Sequence, residues 1–148
     1  MNYGRLVGAA AAATVVDAVY GYLVYGVLLA GEFGRYPAIY RPPEVAGTYL
    51  PPMFLGIFVA MFAAVTIYAK GYEGRSGLTE GARFGVLLGV FVGVLFASVS
   101  YGTLNIGRKL TLAYLAAGFF EWLVVGIVIG LVYKPSTVPG KRRSAAGV

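Results

Sequence analysis

Two carboxylic acids, Asp17 and Glu121, stand inside stretches of this chain that are otherwise apolar. An acid in such a place serves either as a proton or cation site, or as a polar contact between helices made by a protonated carboxyl. The chain contains neither His nor Cys. That removes thiol chemistry, disulfides, histidine proton relays, histidine haem ligation and the usual zinc sites. Two acids without His, Cys or a metal motif make a thin active site. A non-catalytic protein is therefore the expectation, an enzyme acting on lipid ranks behind it, and the residues name no cofactor.

The elements that must position these acids are apolar runs. Of the 148 residues, 59% are hydrophobic and the mean hydropathy is +0.77, against roughly 45–50% apolar residues in a soluble domain. The apolar residues gather in four runs, at about 6–30, 53–69, 84–105 and 111–133. Each is long enough to cross a bilayer, the second only just. The first run begins Ala-rich, as a signal peptide does, but Asp17 interrupts it and it is too long for an h-region. The expected fold is all-α: a polytopic membrane protein with four transmembrane helices in a compact bundle. Residues 1–134 would form one domain and 135–148 a basic tail.

On that layout Asp17 lies eleven residues beyond Leu6, or ~16 Å into the membrane. Glu121 lies twelve residues before Tyr133, or ~18 Å from the same side. In a hydrocarbon core about 30 Å thick, both sit near the midplane. Ala13 and Gly21 flank Asp17 by one turn, and Ala117 and Gly118 lie beside Glu121, so both acids should face the packed interior. No Lys or Arg lies at that depth. Two bare carboxylates cannot both stay charged cheaply in a low dielectric, which favours a shared proton. Tyr20, Ser98, Ser100 and Thr14 offer hydroxyl donors. Polar glue and a proton or cation site both remain open.

Packing is written in small residues. Gly81, Gly85, Gly89, Gly93 and Ala97 recur every four residues in GARFGVLLGVFVGVLFA. In water such glycines weaken a helix, but in lipid the backbone has no other partner and they become a groove for a neighbour. Four residues overshoot a turn by ~40°, so the row drifts ~160° from end to end. A steep right-handed crossing, or different partners at its two ends, is expected. Similar spacings recur at Ala9, Ala13 and Gly21, at Gly56, Ala60 and Ala64, and at Gly118, Gly126 and Gly130.

Charge sets the direction. Arg5, Lys70, Arg75, Arg83, Lys134, Lys141, Arg142 and Arg143 fall on one side, and Arg35, Arg41, Arg108 and Lys109 on the other. By the positive-inside rule both termini and the middle hairpin, 70–82, are cytoplasmic. The net charge of +6 needs no nucleic acid to explain it. The outer stretch 31–52, rich in Pro and Tyr, suits the headgroup region. Lys141–Arg143 fixes topology more than it marks a lipid site. A short echo, Tyr20-Gly21-x-Leu23-x-x-Gly26 against Tyr101-Gly102-x-Leu104-x-x-Gly107, is expected to be chance.

The order Tyr25-Gly26-x-Leu28-Leu29, Tyr40-Arg41-Pro42, Tyr49-x-Pro51-x-Met53, Ile67-Tyr68 and Leu78-x-x-Gly81-x-Arg83-Phe84-Gly85 resembles an uncharacterised family of small bacterial four-span integral membrane proteins. The resemblance implies the architecture and no activity. It also implies His at the position of Tyr25 and another early in the second span, and this chain has neither. The expected role is a structural or accessory subunit of a larger membrane complex of respiratory or photosynthetic type, in contact with lipid and other membrane subunits. The alternative is a small proton- or cation-coupled transporter or channel that uses Asp17 and Glu121. The expected place is the cytoplasmic membrane.

Overall fold

The computed structural model describes residues 2–133. These are helical almost throughout, with no strand among the described residues. Helix α1 (Tyr3–Gly21) starts at Asn2, whose side chain accepts a hydrogen bond from the Arg5 amide. It continues without a break into a π-helical turn, Tyr22–Leu28. Two short helices follow, α2 (Ala30–Phe33) and α3 (Pro43–Ala46), then a 3-10 turn, Gly47–Tyr49. The long helices α4 (Leu50–Gly71), α5 (Gly77–Thr103) and α6 (Arg108–Val132) complete the chain. The apolar segments long enough to cross a membrane are Tyr3–Leu28, Glu44–Gly71, Gly77–Thr103 and Arg108–Val132.

The second and third segments are longer than the hydropathy suggests. Pro51 and Pro52, read above as loop, lie in the first turn of α4, where a missing N–H costs nothing. The polar hairpin shrinks to residues 72–76, because Ser76 caps α5 through the Thr79 amide and residues 77–82 join the helix. Gly74, at φ 90°, makes the reversal. The fourth segment also begins earlier, at Arg108. Lys134 and the tail 135–148, which together hold four of the counted cations, lie outside the described residues.

Helix α1 packs against α4 on one side and α6 on the other, and α5 packs on α6. The ring closes between α4 and α5 through Tyr68 and Phe84, whose centroids are 5.4 Å apart. The core sits at the end of the bundle that holds the N-terminus. Leu6, Ala9, Ala10 and Ala13 of α1 meet Met61, Ala64 and Val65 of α4, with Val125 and Ile129 of α6. Alanines there let three helices close up. In the other half, the part-buried Tyr20 and Tyr25 reach from the first segment to α6, while Tyr22 points outward. Large apolar side chains such as Leu55, Leu87, Phe91 and Leu112 point outward.

The α5–α6 seam is made of backbone. A Cβ on Gly81 would lie 2.5 Å from the Gly126 carbonyl oxygen, and one on Gly85 2.5 Å from that of Trp122. On Gly89 it would meet the Phe119 oxygen at 2.8 Å, and on Gly93 the Leu115 oxygen at 3.3 Å. A single partner thus follows the row from Gly77, against Gly130, to Gly93, so of the two alternatives, a steep crossing or a change of partner, the change of partner does not occur. Helix α6 answers with its own small residues four apart, Gly126 and Gly130, so both rows drift together. The residual drift appears as a loosening of contact toward Gly93. Ala97, one turn further, is still buried.

Candidate functional site

Asp17 on α1 and Glu121 on α6 are brought together by the α1–α6 packing, and their carboxyls hydrogen-bond each other. Asp17 is buried and Glu121 half-buried. The Tyr25 hydroxyl donates to Glu121 Oε2 at 2.9 Å. One turn from the acids, on the side away from the core, the Tyr20 hydroxyl donates to the Ala117 carbonyl at 2.9 Å, pinning α1 to α6. The two tyrosine rings meet edge to face with centroids 6.5 Å apart. The result is a four-residue polar cluster, Asp17, Tyr20, Tyr25 and Glu121, inside an apolar shell.

Tyr25 is the member that sequence periodicity does not reveal. In an α-helix, eight residues overshoot two turns by ~80°, which would turn Tyr25 away from the face of Asp17. The π turn widens the helix by about one residue per turn, shown by the Leu29 amide bonding to the Val24 carbonyl at 2.8 Å. That rotation returns Tyr25 to the acids. The flanking glycines, Gly21 and Gly26, are the one trace of it in the sequence.

The other hydroxyl donors do different work. Thr14 donates to the Ala10 carbonyl at 2.8 Å, within its own helix. Ser98 and Ser100 lie on α5, which packs on α6 in a register that sets Gly85 against Trp122 and Gly93 against Leu115. Both serines are therefore level with the first turns of α6, well away from Glu121. The echo between Tyr20–Gly26 and Tyr101–Gly107 has no structural counterpart: the first enters the π turn, while the second unwinds after Thr103.

Beside the cluster, between α1 and the start of α4, lies a cavity of about 470 Å³. Asp17, Tyr25 and Glu121 form its polar wall, and Met53, Phe54 and Ile57 of α4 its apolar one. Among the described residues, no three His, Asp or Glu side chains converge as a metal site would require. This arrangement can hold a proton between two carboxyls, or offer carboxylate oxygens to a cation that enters from the cavity.

The outer stretch folds over the α5–α6 turn. Tyr36 accepts a hydrogen bond from the Gly107 amide at 3.0 Å, and the Lys109 ammonium donates to Glu32. The Tyr40 and Tyr114 hydroxyls bond each other, with the Phe33 ring 4.9 Å from Tyr40 and Phe96 5.2 Å from Tyr114. The Lys109 ammonium, with Arg35 beside it, holds the Glu32 carboxyl below the usual glutamate range. Residues 32–40 thus cap the α5–α6 turn.

Four long apolar helices, aliphatic and aromatic outside and small residues at their contacts, define a multi-pass α-helical membrane protein. Comparison with family models, curated proteins and solved structures finds no match for this chain.

Proposed function

We propose that this protein is a non-catalytic structural or accessory subunit that packs into a larger membrane complex of respiratory or photosynthetic type. The observation that carries this reading is the outer face of α4. Gly56, Ala60 and Ala63 are all exposed there, three to four residues apart, and a Cβ on Gly56 would meet nothing within 4 Å. Ala64, of the same helix, is instead buried against α1. Small residues on a lipid-facing surface leave a groove that suits another helix better than acyl chains. The charge count supports a cytoplasmic membrane location with both termini inside.

The test is purification of the tagged chain in mild detergent. It should migrate with stoichiometric membrane subunits, and the double variant Gly56→Leu, Ala60→Leu should shed them while keeping its own melting temperature. A wild-type chain that runs alone, or a double variant that keeps the same companions, refutes the subunit reading.

A second reading has its own support. The meeting of Asp17, Glu121 and Tyr25 at a cavity favours a small proton- or cation-coupled transporter that uses the two acids.

A further inference from the structure

We propose that the gap between α4 and α5, at the hairpin end of the bundle, binds a bilayer lipid whose headgroup carries a phosphate and a primary ammonium. These two helices are consecutive, yet they approach through Tyr68 and Phe84 and not through their backbones. The space left is a cavity of about 220 Å³ lined by Tyr68, Glu73, Glu80, Arg83 and Phe84. Tyr68 is only 4% exposed. Its hydroxyl is the one buried side-chain polar atom without a hydrogen-bond partner among the described residues. A buried hydroxyl left unpaired is costly, so a site that keeps one is a site for something that pairs it.

Glu80 is the second buried group, 8% exposed. Its Oε1 accepts from the amides of Glu73 at 3.2 Å and Arg75 at 2.6 Å, which pins the hairpin. Both bonds go to that one oxygen, which leaves Oε2 for a donor. Arg83 stands at the rim with its guanidinium 3.2 Å from Glu73 Oε2. Beside the gap, Ile67 and Leu87 present exposed aliphatic side chains.

The chemistry of the wall selects the occupant. The carboxylates of Glu73 and Glu80 are balanced by the guanidiniums of Arg83 and Arg75, both on Glu73 Oε2, at 3.2 and 3.5 Å, so the wall offers both signs of charge without the cationic excess that recruits anionic lipids. A primary ammonium has N–H groups for Glu80 and for the Tyr68 oxygen, which can accept as well as donate. A quaternary ammonium has none. The phosphate then lies toward Arg83, and the acyl chains run along Ile67 and Leu87.

The experiment compares the full chain in nanodiscs of phosphatidylethanolamine, phosphatidylcholine or phosphatidylglycerol with identical acyl chains. Thermal unfolding and native mass spectrometry are the readouts. Phosphatidylethanolamine should raise the melting temperature by a few degrees over the other two and be retained as one bound lipid. Tyr68→Phe should lose that selective gain while melting no lower than wild type in phosphatidylcholine, because it removes a hydroxyl that has no protein partner. Equal melting in all three lipids, no retained lipid, or a Tyr68→Phe chain that keeps the preference overturns the proposal and leaves the hydroxyl to water.

Discussion

Replacing Gly85 with Ala tests the α5–α6 seam at a level where the new Cβ would meet only backbone. The added methyl would stand 2.5 Å from the Trp122 carbonyl oxygen and 2.8 Å from the Leu123 Cα. That is roughly 1 Å short of ordinary contact, and every atom it meets is backbone. The helices must separate at this level, which also loosens the contacts of Gly81 and Gly89 on either side. Overpacking of this kind costs about 1–3 kcal/mol. The gain of Ala over Gly in a helix returns at most about 1 kcal/mol, leaving a net loss of roughly 1–2 kcal/mol. Gly8→Ala is the control, because a Cβ there meets nothing within 4 Å and only the gain applies. Gly93→Ala should fall between them, since its nearest contact is 3.3 Å. Unfolding by SDS in mixed micelles, followed through the fluorescence of Trp122, gives the ordering. A Gly85→Ala chain as stable as Gly8→Ala, or a Gly93→Ala chain less stable than Gly85→Ala, would refute the reasoning.

The acid cluster makes two further tests. Tyr25→Phe removes one hydrogen bond to Glu121 and should destabilise the chain by about 0.5–1.5 kcal/mol, or about 1.5–3 kcal/mol where the carboxyl carries charge; no change in SDS unfolding would place Tyr25 outside the cluster. Asp17→Asn and Glu121→Gln should be non-additive by at least about 0.5 kcal/mol in a double-mutant cycle. Run in proteoliposomes, the same variants separate the two functional readings: each is mild on the subunit reading and abolishes coupled flux on the transport reading. Acid should open the cap over the α5–α6 turn. The folded Glu32 carboxyl titrates below its unfolded value, so the stabilisation from Lys109 is complete above about pH 4.3. It is lost as pH falls further, through the folded value. The melting advantage of wild type over Glu32→Gln should shrink in that window, and an advantage that persists below it would assign the effect to packing.

The four segments could be read from hydropathy because lipid demands long apolar helices and leaves the backbone no alternative. Their ends could not, because Pro51 and Pro52 mark a helix start as readily as a loop, and Gly77–Ala82 looks polar until Ser76 caps it and Glu80 turns inward. The depth of Asp17 and Glu121 follows from counting residues. What they touch depends on helix rotation, and counting at 100° per residue fails at the π turn that delivers Tyr25. The seam's tightest point escaped for a related reason: equal spacing makes the five small residues look alike, while the register with Gly126 and Gly130 singles out Gly81 and Gly85 and adds Gly77, one turn before the row.

A core built from side chains can absorb an error, because a neighbour can shrink or rotate to make room. The contact of Gly81 and Gly85 with Gly126 has nothing to shrink: carbonyl oxygens and Cα atoms meet each other directly. No second substitution within the seam can restore the lost fit. Suppressors of a Gly85→Ala defect should therefore arise elsewhere, on contacts such as the Phe96–Tyr114 ring pair that joins α5 to α6 at the far end of the hairpin. Half of this molecule can be retuned residue by residue, while the α5–α6 seam is inherited whole.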